Sequence, residues 1–195
     1  MNAAIGIDPG IDTGGIAVLT PRGLTVHMTP RIGGGDKGDI DLIAISDIIL
    51  DTMEYVNESV GGQVVICVED VHSIFGSSAS SNFTFGGRRR EPNALFAMLA
   101  AINMREAIYT RTKVSLLEVP PKTWQKEIHT TADKTYKASK LDTKATSIRA
   151  AMRIFPDILF TKPWDGKGKK PTKIQDGLCD AALIAEYARR KMVLC

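Results

Sequence analysis

Apolar runs of two different periods alternate along the chain. Ala3-Ala4-Ile5-Gly6-Ile7 is a continuous apolar run that stops on Asp8, followed by a Pro9-Gly10 turn. This pattern predicts a buried strand with a carboxylate at its end. Gly14-Gly15 and Ile16-Ala17-Val18-Leu19 predict a second strand returning antiparallel, and Leu24–Met28 alternates like a third. Residues 31–39 are rich in Gly and Asp and predict a flexible loop; the glycine triplet lacks the Gly-Lys-Ser/Thr ending of a P-loop. Over 41–56 the apolar positions Leu42, Ile45, Ile48, Ile49, Met53 and Val56 change the period to that of a helix. Residues 63–71 form a short β-branched run covered on both faces, which ends in Glu69-Asp70. Strand side chains alternate, so these two acids point to opposite faces and only one can join Asp8.

The second half continues in the same way. A Ser/Gly-rich segment, 72–93, predicts a long loop, and Asn93 predicts the N-cap of a helix over 94–109. Val114–Val119 predicts a strand closed by Pro120-Pro121, with a short helix from Lys122. Residues 129–142 are polar, 144–155 are helical by period, and 161–175, with five lysines, predict a loop. A final helix begins near Asp176. Asp176 and Asp180, four apart, share one of its faces, and the small residues after Asp180 imply close packing on the sheet.

Length and composition fit one domain over 1–195, with no apolar run near the ~20 residues of a membrane span. No secretory signal is evident, so the reading is a protein of the cytoplasm, an organelle or a virus-infected cell rather than a secreted one. Cys67, Cys179 and Cys195 have no zinc spacing and read as small core residues of a reducing compartment. Charge changes the picture more. Residues 1–60 carry nine acids and three Lys/Arg, whereas 61–195 carry thirteen acids and twenty-two Lys/Arg. The basic later part suits a polyanion, although ordinary surface lysines would give the same balance. Phe75, Phe83 and Phe85 interleave with Arg88, Arg89 and Arg90 in the 72–93 segment, a combination suited to unstacked bases and phosphates, or to phenylalanines tucked under a loop.

Each acid has an ordinary explanation when taken alone. Asp8 can start an Asp-Pro-Gly turn, Asp176 can cap a helix, and Asp180 can be a first-turn acid favoured by the helix dipole. Taken together they imply more. Carboxylates gathered at one sheet edge repel, and a hard divalent cation, Mg²⁺ or Mn²⁺, is the usual remedy. Two such ions can activate water and stabilise a leaving oxygen in phosphodiester cleavage.

Ile5-Gly6-Ile7-Asp8-Pro9-Gly10, Val68-Glu69 and Cys179-Asp180-Ala181-Ala182-Leu183-Ile184-Ala185 together resemble the three acidic motifs of RuvC-type Holliday junction resolvases, members of the RNase H-like (retroviral integrase) superfamily. The resemblance spans roughly residues 3–190. It implies an α/β fold with a five-stranded mixed sheet of order 3-2-1-4-5 flanked by helices. It also implies a Mg²⁺-dependent endodeoxyribonuclease, acting as a homodimer on branched four-way DNA and holding two ions per active site, with Mn²⁺ able to substitute. Asp8, Glu69, Asp176 and Asp180 would be the metal ligands. Lys144 resembles a family lysine near the scissile phosphate, and Lys122 resembles another. Lys126, Lys169 and Lys170 are further candidates for DNA contact, with Phe75 and Arg88–Arg90. The sequence identifies no helicase partner.

Two departures from the family pattern stand out. Bacterial members often place the first acid of the final pair three residues before the second; here Gly177 occupies that place and Asp176 lies four before. Bacterial members also carry a Phe just after the Glu of the fourth sheet strand, where this chain has His72, with Phe75 slightly later. Together with the polar segments 129–142 and 161–175, these features resemble divergent phage, viral or organellar relatives. Competing readings are another nuclease of this fold acting on forks, flaps or RNA, an actin-like ATP-binding domain, and a non-catalytic DNA-binding module.

Overall fold

The computed structural model describes residues 1–10, 13–33, 39–57, 62–70, 113–164 and 166–192. The 72–93 segment and the 94–109 helix expected from sequence lie outside the described residues, as do Cys195 and the candidates Phe75, Arg88, Arg89 and Arg90.

Strands β1 (Asn2–Asp8), β2 (Gly15–Thr20) and β3 (Gly23–Met28) form an antiparallel meander. β4 (Arg31–Ile32) and β5 (Asp39–Ile40) pair as a small ribbon, so the ends of the glycine-rich 31–39 stretch are structured rather than loop. Helix α1 (Leu42–Asn57) follows, with Asp41 Oδ1 accepting from Ala44 N at 3.0 Å as its cap. β6 (Gln63–Glu69) and β7 (Lys113–Val119) add to β1 in parallel, giving the sheet order β3-β2-β1-β6-β7. Counting only the strands of this sheet, that is the expected order 3-2-1-4-5.

α2 (Pro121–Ile128) starts with proline at its first turn, where the missing N–H would have no helical partner. The polar 129–142 segment is more ordered than its composition implied. It holds a 3₁₀ turn (Thr131–Asp133) and a tight hairpin of β8 (Tyr136–Lys137) and β9 (Lys140–Leu141). α3 (Thr143–Ile154) follows, capped by Asp142, whose side chain accepts from Ala145 N at 3.0 Å. The 161–175 stretch is irregular as expected, closed at its base by a Thr161–Ile174 bridge. It leads into α4 (Asp176–Met192).

The strands separate their side chains by the period of two. Ala3, Ile5 and Ile7 of β1, with Val64, Ile66 and Val68 of β6, pack on Ile45, Ile49, Met53 and Val56 of α1. Ala4 of β1, with Val65 and Cys67 of β6, faces a second core built from α2, α3 and α4. Full burial of side chains such as Leu183 and Ile184 in that core contributes roughly 1.5–3 kcal/mol each. α4 comes unusually close to β1. A Cβ on Gly6 would lie 2.1 Å from the Ala181 carbonyl oxygen and 2.3 Å from the Ala185 nitrogen, so only glycine fits beneath the helix. Among the described residues, no helix is long and apolar enough to cross a membrane.

Candidate active site

The same alternation places the acids. Asp8 follows Ala4 and Gly6 in step, and Glu69 follows Val65 and Cys67, so both lie on the face covered by α4. β1 and β6 run parallel with Ile7 opposite Val68, which puts Asp8 and Glu69 side by side at the C-terminal ends of adjacent strands. Asp70 has the opposite parity, and its N–H continues the sheet by donating to Val119 O at 2.8 Å. α4 brings Asp176 in its first residue and Asp180 one turn later.

Asp8 serves a turn and the acid cluster together. Its Oδ1 accepts from Gly10 N at 3.0 Å, and Gly10 O in turn accepts from Gly14 N at 2.8 Å and from Thr29 Oγ1 at 3.1 Å. The compact turn therefore fixes the carboxylate beside α4. Gly177 explains the altered spacing of the final pair. A Cβ there would sit 1.7 Å from the Thr13 carbonyl oxygen and 2.9 Å from Asp8 Oδ2. An acid cannot occupy position 177 in this packing, whereas Asp176, one residue earlier, reaches Lys144.

The acids perturb one another electrostatically. Burial away from water, then the charges of Asp180 and Glu69, holds the Asp8 carboxyl well above its usual range, against the opposing Gly10 N–H. Burial pushes Asp180 up to about 7, opposed by the Ser147 hydroxyl and reinforced by Glu69 and Asp176. Burial also raises Glu69, and a hydrogen bond from Trp124 opposes it. Lys144 Nζ lies 2.5 Å from Asp176 Oδ2, and that hydrogen bond raises the pKa of the ammonium. The Lys144 side chain stays 73% exposed, so the pair leaves a cation at the open edge of the cluster.

Sequence reasoning missed three supporting residues. Trp124, fully buried in α2, donates from Nε1 to Glu69 Oε1 at 3.0 Å. Ser147, buried in α3, favours the charged form of the Asp180 carboxylate, and its Oγ lies 3.3 Å from His129 Nε2. His129 packs edge-on against Trp124 with ring centroids 5.6 Å apart. The three form a chain of contacts that reaches Glu69 through Trp124. The polarity of Ser147 within the apolar face of α3 was the one available signal.

The other sequence candidates are dispersed around this centre. Lys122 and Lys126 share the exposed face of α2, one turn apart and opposite Trp124 and Ile128. Lys169 and Lys170 are exposed in the stretch that leads into Asp176. The core reading of two cysteines holds: Cys67 and Cys179 are buried, with burial pushing each thiol up to about 12.

The donor set suits a hard divalent cation. Asp180 Oδ1 is buried with no hydrogen-bond partner, an arrangement that costs free energy until a donor or cation meets it. The neighbouring donors are carboxylate oxygens, which match Mg²⁺ or Mn²⁺ rather than zinc. Among the described residues, no three acidic, cysteine or histidine side chains already close around one point, so ligation would draw the carboxylates together.

Comparison with solved structures finds RuvC from T. thermophilus, in complex with a Holliday junction substrate. The match has a TM-score of 0.51 and 12% sequence identity, and covers 98% of this chain and 96% of that one. The fold is RNase H-like. No protein-family model matches the chain, and neither does any curated protein.

Proposed function

We propose that the protein is a structure-selective endodeoxyribonuclease that resolves four-way DNA junctions by metal-dependent phosphodiester cleavage. The observation that carries this reading is the convergence of Asp8, Glu69 and Asp180 on one face of the sheet ends, with an orphaned buried oxygen on Asp180. The fold adds support, since a protein of the same architecture has been solved on a Holliday junction.

In this reading Asp8, Glu69 and Asp180 hold divalent cations, with Asp176 the fourth acid. Two bound Mg²⁺ ions, or Mn²⁺ in their place, would supply Lewis acidity at the phosphate and a more acidic attacking water. The chain's own residues prepare the ground for that chemistry. Gly10 N–H fixes one oxygen of Asp8 and leaves the other toward the cluster. Trp124 orients Glu69, as outer partners do for ligating groups elsewhere, and the Ser147 hydroxyl favours the charged form of Asp180. Lys144, tethered by Asp176, offers a positive charge where negative charge develops on the phosphate. Lys122, Lys126, Lys169 and Lys170 supply sequence-independent backbone contacts. Two copies would present two such centres, one for each strand cut.

A substrate panel tests this directly. Four-way junctions, Y-forks, flaps and linear duplex are compared with Mg²⁺, Mn²⁺ and EDTA. The expected result is metal-dependent nicking of the junction well above linear duplex. Faster cutting of a fork or flap would reassign the enzyme to another nuclease class of this fold, and junction cleavage no better than duplex would end the resolvase reading.

A further inference from the structure

We infer that the β8–β9 hairpin is a rigid basic prong that grips the DNA backbone beside the acid cluster. The inference rests on the nuclease reading above. Lys134, Lys137 and Lys140 are all exposed on this short segment, with Tyr136 63% exposed among them. The two acids of the segment do not neutralise these lysines, because each is engaged internally. Asp133 accepts from Arg153 Nε and Nη2, both at 2.8 Å, and from Thr130 N and Oγ1. Asp142 caps α3. The lysine charge therefore faces solvent.

The hairpin is also braced. Asp142 N donates to Thr135 O at 2.8 Å, and Thr135 N donates to Thr146 Oγ1 of α3 at 3.1 Å. The Asp133–Arg153 pair ties its other foot to the last turn of α3. Its two-residue turn is Ala138-Ser139, with φ of 47° and 63°, a left-handed geometry that normally selects Asn-Gly. Non-glycine residues held there mark a conformation that the surroundings enforce.

Placement gives the prong its use. The first turn of α3 carries Lys144, paired with Asp176, and Thr146, holding the hairpin. The helix that pairs with Asp176 therefore also positions the lysines. A row of ammonium groups with one tyrosine fits a phosphodiester backbone, the ring covering a sugar or an unstacked base.

The test compares wild type, the triple variant K134A/K137A/K140A, and R22A/K191A. Arg22 follows the far end of β2, and Lys191 lies in the last turn of α4, both away from the acids. Binding to a four-way junction and to linear duplex is measured in EDTA over a salt series. For the triple variant we expect affinity to fall at least ~10-fold. The slope of log K against log salt should become shallower by ~2.7, since each of the three phosphates no longer neutralised removes ~0.9 from it. R22A/K191A should match wild type in affinity and slope, and the triple variant should keep the wild-type melting temperature. A triple-variant slope equal to wild type, or an equal change in R22A/K191A, overturns the prong while leaving the nuclease reading in place. Absence of DNA binding by wild type overturns both.

Discussion

Asp8 divides its two oxygens between structure and chemistry. Oδ1 closes the Pro9-Gly10 turn, and Oδ2 faces the first turn of α4 across the space that Gly177 leaves open. The other acids depend on neighbours in the same way. Ser147→Ala removes the hydroxyl that favours the charged form of Asp180. Calorimetric titration should then show Mn²⁺ affinity reduced by about 10–100-fold, the usual effect of deleting an outer partner of a ligand, with little change in melting temperature. Unchanged affinity would show that the hydroxyl does not position Asp180. Gly177→Ala should be worse for the fold than for charge. Its methyl meets the Thr13 carbonyl, so thermal denaturation should report a destabilisation of about 3 kcal/mol, the upper range for overpacking.

At the scale of elements, α4 and the β8–β9 hairpin illustrate two kinds of constraint. α4 reaches the strand ends because Gly6 lets its backbone settle on β1. The hairpin is held in an unfavourable turn by its anchors. Replacing Ala138-Ser139 with Asn-Gly should therefore stabilise the protein by ~1 kcal/mol, since the left-handed region costs other residues about that much. A lower melting temperature in that variant would contradict the turn geometry. The strands of the main sheet were legible because their apolar runs end abruptly at turn residues; parity showed that only one of Glu69 and Asp70 shares the face of Asp8, and the β1–β6 register makes it Glu69. The hairpin was not legible. Lys137-Ala138-Ser139-Lys140 has no glycine or asparagine to announce a turn, and its pairing is enforced by Thr146 and Arg153 from within the helix that follows. The Trp124 and Ser147 contacts were hidden for a related reason: each joins residues distant in sequence, and no local pattern encodes them.

Across the whole molecule, the cluster sets a conflict between stability and function. The raised carboxyls of Asp8, Glu69 and Asp180 bind protons more tightly folded than unfolded. Their stabilising contribution is thus complete below the ordinary carboxylate range and lost as pH rises, for Asp180 through about 7. Asp133 has the opposite sign. Arg153 holds it below its usual value, so its contribution is present above that value and lost only in stronger acid. In EDTA the melting temperature should fall between about pH 5 and pH 8, and Mg²⁺ should restore more of it at the higher pH, where the acids are charged. A Mg²⁺ effect independent of pH would contradict ligation by these carboxylates.

The most direct test of the central claim is Asp8→Asn, assayed for cleavage and for binding on the same four-way junction. Removing one charge relieves the repulsion among the acids and leaves the lysines untouched. The variant should melt higher than wild type without metal and bind the junction at least as tightly, yet fail to cut it at saturating Mg²⁺. Cleavage by Asp8→Asn at the wild-type rate would contradict the assignment of this cluster as the nuclease centre.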